Sequence, residues 1–157
     1  MPTGSGRLGA GQNGGVHLYD RGFADLDAPT LYAILRLRSD VFVVEQACPY
    51  PELDGRDTEP TTRHLWLADD PADPQSYLRI LTEPDGAARI GRVCTAAAAR
   101  GLGLSRRLMD AALARAGDRP CVLDAQTYLV KFYRSFGFTV AGVEFVEDGI
   151  PHMPMRR

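Results

Sequence analysis

Apolar side chains recur at helical spacing early in the chain. Across residues 31–46 they follow one another at steps of three and four residues, and helix start signals precede them from Asp27 onward. This pattern predicts a long helix with a break near Ser39. Residues 47–62 are rich in Pro, Asp, Glu and Thr and predict a long loop, which in a compact domain usually carries function or moves.

Short apolar runs separated by turn residues fill the middle of the chain. Residues 64–68, 76–82 and 89–96 have the composition of strands. The segments between them carry Pro, Asp and Gly, which favour tight antiparallel connections. The three runs therefore predict an antiparallel meander.

Helix and strand patterns alternate in the second half of the chain. An amphipathic stripe around Leu108 predicts a second helix that ends at Gly117, and residues 121–125 predict a buried strand. A third helix over 127–136 and a last hairpin about Asp148-Gly149 follow. A meander followed by alternating strands and helices indicates an α+β fold.

The length of 157 residues fits one ordinary domain. Residues 1–15 hold six glycines and little apolar mass, so they predict a disordered N-terminal tail. Residues 16–157 are then expected to form the single domain. The chain shows neither the apolar run of a signal peptide nor 18 consecutive apolar residues, so we expect a cytoplasmic protein without a membrane partner.

Charge and cysteine content narrow the function classes. The formal net charge of -2 disfavours a nucleic-acid-binding protein, which would need a continuous basic face. The charge is uneven, however, since residues 89–119 carry seven Arg against two Asp and residues 45–73 carry eight acids against two Arg. Three widely spaced cysteines without a C-x-x-C pair suggest neither a disulfide framework nor a metal site.

The segment with the clearest chemistry is Arg100-Gly101-Leu102-Gly103-Leu104-Ser105-Arg106-Arg107, between a predicted strand and a predicted helix. Glycines allow a ligand to approach the backbone closely, and the free amides and dipole of a helix N-terminus favour an anion. The spacing is neither that of a P-loop nor that of a complete G-x-G-x-x-G fingerprint. A diphosphate-binding turn and a plain strand-to-helix turn both fit this segment.

The context of this segment resembles a known family. The pattern R-x-x-G-x-(G/A), followed downstream by Tyr133-Arg-Ser-Phe136-Gly137-Phe138, is similar to the GCN5-related N-acetyltransferase (GNAT) superfamily. The stretches RLRSDVFVVEQACPYPELDG, DAQTYLVKFYRSFGF and VEDGIPHMPM resemble its ElaA branch. Ser105 departs from the family pattern of Gly or Ala; as a small residue it is expected to keep the close approach and to serve as a helix N-cap.

The resemblance implies the GNAT fold, a mixed and mostly antiparallel sheet with a splayed central strand and flanking helices. It also implies acetyl-CoA as co-substrate, with the glycine-rich turn on its pyrophosphate and the splayed strand's backbone on its pantetheine arm. No metal is implied. The residues expected to contact acetyl-CoA are Val93, Cys94, Thr95, Arg100, Gly101, Leu102, Gly103, Leu104, Ser105, Arg106, Gln126 and Tyr133.

Acyl transfer to an amine requires a base for the amine and an acid for the leaving thiolate. Tyr133 matches the family's usual tyrosine acid, although it also belongs to an aromatic cluster typical of a core. The candidates for the base, and for contact with the acceptor, are Glu45, His64 and His152; each also has an ordinary structural interpretation.

These observations favour an N-acetyltransferase that transfers the acetyl group of acetyl-CoA directly to a primary amine in a ternary complex. The acceptor is either a small-molecule amine or a protein or peptide amine. The alternative is an acyl-CoA-binding or sensing domain with weak or no catalysis. The last strands also offer an edge for a homodimer, which no sequence feature demands.

Overall fold

The computed structural model describes residues 15–157, in which eight strands form one sheet and three α-helices lie on its faces. The strands are β1 (His17–Gly22), β2 (Arg63–Ala68), β3 (Ser76–Thr82), β4 (Ala88–Thr95), β5 (Cys121–Gln126), β6 (Thr139–Val140), β7 (Phe145–Glu147) and β8 (Ile150–Arg156). The helices are α1 (Ala28–Ser39), α2 (Leu104–Ala116) and α3 (Val130–Arg134).

The sheet runs in the order β1-β2-β3-β4-β5-β8-β6, with β7 beside β8. Its pairs are antiparallel except β4 and β5, which are parallel. Those two strands pair only where Ala88 meets Cys121 and Arg89 meets Val122. Beyond that point they diverge, which confirms the expected mixed α+β sheet with a splayed central strand.

A β-bulge lies at the start of this divergence. Arg79 of β3 pairs with Gly91 of β4, whereas Tyr77 pairs with Cys94, so β4 carries one extra residue over this stretch. Within it Arg92 has a φ of +54°, a left-handed conformation that is rare for a residue with a Cβ. A bulge bends its strand and increases its twist, so β4 turns away from β5 here.

The two faces of the sheet carry separate apolar cores. Leu65 and Leu67 of β2 face α2, while Trp66 between them packs with Ile34 of α1. Side chains alternate between faces along a strand, and because both faces of β2 are covered its sequence is an almost continuous apolar run.

The three predicted helices are present, but the first and the third contain turns that are not α-helical. Asp27 caps α1 by accepting a hydrogen bond from the Thr30 amide at 2.8 Å, and after Ser39 the helix continues as a π-helix over Asp40–Glu45. The expected break near Ser39 is therefore a change of helix type. The third helix is shorter than expected, since Thr127–Leu129 form a 3₁₀ turn before α3.

Two further segments differ from the sequence expectations. β1 was not predicted, because its own apolar pattern is weak and its strand conformation comes from pairing with β2. The 47–62 loop is confirmed as a loop, yet its Glu52 and Asp57 are buried. The predicted N-terminal tail, residues 1–15, lies outside the described residues except for Gly15. None of the helices in the described part combines the length and the apolar character needed to cross a membrane.

Candidate active site

A cleft of about 1150 Å³ opens where β4 and β5 diverge. It extends from the N-terminus of α2 to the β7–β8 turn and passes beneath the end of the π-helix. Because the diverging strands leave backbone groups of β4 without a β5 partner, the cleft exposes hydrogen-bonding atoms at its centre. The predicted contact residues that line it are Val93, Cys94, Thr95, Arg100, Gly101, Gly103, Leu104, Ser105, Arg106, Gln126 and Tyr133.

The glycine-rich turn forms an open cradle at the N-terminus of α2. Gly101 and Gly103 have φ values of +81° and +74°, and a Cβ on either would meet no atom within 4 Å. The first intrahelical bond runs from the Arg107 amide to the Gly103 carbonyl at 3.2 Å, so the amides before it have no helical partner. These amides and the helix dipole suit an anionic group such as a diphosphate.

Ser105 has a different role from the one expected. The N-cap of α2 is Gly103, which makes no side-chain cap, so the predicted capping by Ser105 is wrong. Its hydroxyl instead forms a 2.9 Å hydrogen bond with the Thr95 hydroxyl, which bonds that of Ser76 at 2.8 Å. This chain of hydroxyls connects the first turn of α2 to the ends of β3 and β4.

The two cradle arginines have different partners. Arg100 donates to both carboxylate oxygens of Glu45, at 2.5 and 2.6 Å. Arg106 lies over the ring of Phe136, 4.8 Å from its centroid, and donates to the Ser135 hydroxyl at 3.3 Å. Arg106 therefore spans the gap between α2 and α3, whereas Arg100 bridges to the π-helix.

Glu45 lies at the cleft, but its carboxylate is engaged. The hydrogen bonds from Arg100 lower the pKa of Glu45 below its usual value. Both oxygens already accept from one guanidinium, which leaves the carboxylate poorly suited to take a proton from an amine. In this structure Glu45 restrains Arg100.

Tyr133 belongs both to the aromatic cluster and to the cleft. Its ring meets Phe132 and Phe138 edge-on, with centroids 5.1 and 6.3 Å away. Only 6% of the residue is exposed, and burial raises the pKa of its hydroxyl well above the usual value. The phenol is therefore protonated at neutral pH, as an acid beside the cleft must be.

His152 and Gln126 lie next to each other across β5 and β8. Nδ1 of His152 is 2.7 Å from the Ile150 carbonyl, which can only accept, so Nδ1 carries a hydrogen. Within residues 15–157 no group hydrogen-bonds to Nε2, so in the neutral tautomer its lone pair is available. The ring stacks on Phe145, 5.6 Å away. Gln126 donates to the Gln46 side chain at 3.3 Å, which connects β5 to the segment after the π-helix.

His64 is not brought to the cleft. It is 1% exposed; its Nε2–H donates to the Asp57 carbonyl at 3.0 Å, and the Tyr77 hydroxyl donates to Nδ1 at 2.7 Å. Burial lowers the pKa of His64, so the ring is neutral. With both nitrogens occupied it cannot accept a proton from an acceptor amine, and the expected catalytic or acceptor contact does not fit this position.

Two other predicted contact residues are constrained by their surroundings. Burial raises the pKa of Cys94 to about 12, which agrees with a thiol that belongs to the apolar core around Trp66 and Tyr77. Leu102 is 67% exposed and projects from the cradle. Among residues 15–157, no group of His, Cys, Asp or Glu side chains is arranged to hold a metal ion.

Sequence reasoning missed several residues of the cleft. Tyr50 of the 47–62 loop lines it near Arg92, Asp124 lines it on β5, and Tyr128 and Leu129 line it near α3. The alternation of β5 was an available signal for Asp124, since residues two apart on a strand share a face. The position of Tyr50 depends on the path of its loop and has no local signal.

Comparison with known proteins identifies the family. Residues 40–157 match the acetyltransferase (GNAT) domain family. The chain belongs to this GNAT family. Protein ElaA of Escherichia coli is 40% identical over 150 residues, which cover 90% of this chain and 96% of ElaA, and so places the chain in the ElaA-like branch.

Other relatives agree with this GNAT assignment. A UPF0039 protein of Mycobacterium bovis is 55% identical over 136 residues, 85% of this chain and 87% of that protein. The crystal structure of an acyl-CoA N-acyltransferase from Pseudomonas aeruginosa superposes with a TM-score of 0.85 at 43% identity, over 90% of this chain and 99% of that one. The crystal structure of E. coli ElaA superposes with a TM-score of 0.84 at 38% identity, over 90% of this chain and 99% of that one. In general terms, this GNAT chain is an acyl-CoA-dependent acyltransferase.

Proposed function

We propose that the protein is an N-acetyltransferase that transfers the acetyl group of acetyl-CoA directly to a primary amine while both substrates are bound. The observation that supports this most directly is a single cleft reached by the α2 cradle, Tyr133 and His152. A cleft that holds both reactants in one place removes the need for a covalent enzyme intermediate. The two cysteines that line the cleft, Cys48 and Cys94, are both buried, and burial raises the pKa of Cys94.

The residues present fit a CoA thioester. The free amides of α2 receive the diphosphate, with Arg106 beside them and Arg100 available if it leaves Glu45. The backbone of Val93, Cys94 and Thr95 lies along the splayed part of β4, where it has no β5 partner and can bind an extended amide-containing arm. Acetyl-CoA, when bound there, supplies the activated acyl group.

His152 is the base in this proposal. A primary amine has a pKa near 10 and is mostly protonated at pH 7, so one proton must first leave to solvent to free its lone pair. A base must then take up a second proton as the bond to carbon forms. Nε2 of His152 has the free lone pair for this, directly or through a water. Glu147 and Asp148 also line the cleft and attract a cationic acceptor.

Tyr133 is the acid. As the C–N bond forms and the C–S bond breaks, Tyr133 donates its proton to the departing sulfur and His152 holds the proton lost by the amine. The products are an amide and the free CoA thiol, and exchange with solvent restores both side chains. The acceptor is a small amine or a peptide amine.

The experiment is a thiol-release assay. The protein is incubated with acetyl-CoA and a panel of polyamines, amino acids and peptides that carry a free N-terminus or lysine, and free thiol is followed over time. We expect release that depends on one class of amine. Thermal stabilisation by CoA with no release for any amine would instead identify an acyl-CoA-binding domain without catalysis. Replacing acetyl-CoA by longer acyl-CoA esters tests the acyl group.

A further inference from the structure

The 47–62 loop holds the bulge of β4 through one buried carboxylate. Glu52 is 5% exposed and accepts hydrogen bonds from Arg92 at 3.1 Å and from Arg38 at 2.8 and 3.0 Å. Its backbone carbonyl accepts a further bond from Arg92 at 3.1 Å, and the Arg92 guanidinium lies 5.7 Å from the Tyr50 ring. Asp54 of the same loop lies 3.6 Å from the Arg92 guanidinium. Within residues 15–157, the hydrogen bonds and ion pairs of the Arg92 side chain therefore all come from this loop.

The same loop also forms hydrogen bonds with β3, the strand that pairs with the bulged part of β4. Arg79, which pairs with Gly91 just before the extra residue, donates to Asp54 at 2.5 and 2.9 Å and to Asp57 at 3.0 Å. Arg38 reaches Asp57 at 2.6 Å and is fully buried. Carboxylates of this loop therefore contact both strands at the bulge, β4 through Arg92 and β3 through Arg79.

Arg92 needs such a restraint because its backbone is left-handed. A residue with a Cβ prefers negative φ, so an untethered arginine at this position relaxes toward extended backbone. An extended Arg92 would reduce the bend that the bulge gives to β4, and β4 would then follow β5 farther. That change would occupy the backbone of Val93 to Thr95 with strand pairing and narrow the cleft.

We propose that Glu52 is a positioning residue that holds Arg92 in its left-handed conformation and thereby keeps β4 splayed for the acyl-CoA. Glu52 does not touch the reacting atoms; it acts through Arg92. This inference rests on the proposed function only in assigning acyl-CoA to the splayed strand. Its test uses the binding of free CoA, which needs no turnover.

The first comparison is Glu52→Gln against Asp57→Asn, with CoA affinity measured by calorimetry well below the melting temperature of each variant. Both remove a buried loop carboxylate charge that faces Arg38, but of these two residues Glu52 alone contacts Arg92. We expect Glu52→Gln to weaken CoA binding about tenfold and Asp57→Asn to change it much less. Equal losses in the two variants would overturn the proposal.

The second comparison is Arg92→Ala against Arg92→Gly and does not depend on whether Glu52→Gln folds. Both remove every Glu52 contact, but only glycine accepts positive φ without strain. We expect Arg92→Ala to weaken CoA binding several-fold more than Arg92→Gly, and Arg92→Gly to lessen the loss caused by Glu52→Gln. Indistinguishable Ala and Gly variants would overturn the proposal. If these patterns hold while the wild-type protein releases no thiol, the proposed function fails and the positioning role stands.

Discussion

At the scale of single residues, pairs of side chains decide what each cleft group can do. Glu45 and Arg100 are both about half exposed, and their two hydrogen bonds occupy both oxygens of the carboxylate and one edge of the guanidinium. His152 donates through Nδ1 and has no hydrogen bond at Nε2 within the described part of the chain, whereas both nitrogens of His64 are used. A histidine can therefore accept a proton from a ligand at position 152 but not at position 64.

Glu45→Gln is expected to tighten CoA binding roughly two- to fivefold, since an exposed ion pair of modest strength no longer competes for Arg100. The hydrogen bonds from Arg100 lower the pKa of Glu45, so at pH 7.5 the wild-type pair is fully ionised. Calorimetric titration with CoA measures the change. Asp40→Asn, which removes the exposed Arg36 pair on the same helix, is the control. Weaker binding in Glu45→Gln would show that Glu45 supports the CoA site.

Tyr133→Phe is expected to lower kcat about 100-fold and to leave CoA affinity nearly unchanged, because in the proposed mechanism the hydroxyl protonates the leaving thiolate. Since burial raises the pKa of Tyr133, the wild-type rate should not fall through loss of this proton until the pH exceeds the ordinary tyrosine range. Tyr128→Phe, at an exposed tyrosine of the same cleft, is the matched control. Equal turnover by Tyr133→Phe and the wild type would remove the acid assignment.

At the scale of elements, the ends of helices build the site. The α2 N-terminus supplies free amides because Gly103 caps it without a side chain. The π-helix at the end of α1 places Glu45 and the adjacent Gln46 over the cleft, where they reach Arg100 and Gln126. π-helical turns are rare and often occur at functional sites, and here the turn brings two elements across the diverging strands.

Gly103→Val is expected to weaken CoA binding at least about tenfold, because a side chain would project into the open cradle and obstruct the amides of α2. Gly86→Val is the control: Gly86 has a φ of +86°, its Cβ would also meet no atom within 4 Å, and it lies in the β3–β4 turn. Both variants should lose about 1–2 kcal/mol of stability from the strained backbone. CoA affinity measured beside the free energy of unfolding separates the two effects; similar affinities in the two variants would argue against the cradle.

At the scale of the whole molecule, buried charges join distant parts of the chain. Arg38 of α1 meets Glu52 and Asp57 of the loop, and Arg79 of β3 meets Asp57 from the other side. Buried ion pairs add little net stability, since desolvation offsets their attraction. We infer that their main effect is to fix one position of the 47–62 loop relative to the sheet.

The free energy of unfolding is expected to fall as the pH drops below about 6.5. Burial lowers the pKa of His64 below its ordinary 6.5. Between 6.5 and the lower pKa of the folded protein, His64 is protonated in the unfolded chain but not in the folded one. The loss approaches about 1.4 kcal/mol per pH unit until the folded pKa is reached. Urea denaturation at pH 7.5, 6.5 and 5.5 measures it. His64→Gln should reduce the slope, whereas the exposed His17→Gln should keep it; a wild-type slope retained in His64→Gln would assign it to other groups.

The amino-acid sequence by itself determined the features that depend on neighbouring residues. Periodicity located α1, α2 and strands β2 to β5, and a few consecutive residues specified the glycine cradle and the position of Tyr133. These signals are local because helix spacing, turn chemistry and capping act over only a few residues. The family resemblance then supplied the splayed sheet, which the structure confirms.

Only the tertiary structure decided the features that depend on residues far apart in the chain. The bulge at Arg92 is held by Glu52, forty residues earlier, and Arg100 finds Glu45 at a separation of 55. β1 exists as a strand because β2 pairs with it, and His64 is buried while His152 faces the cleft. Such contacts depend on how the elements pack against one another. The residues next to each partner in the sequence give no signal of which distant side chain it will meet.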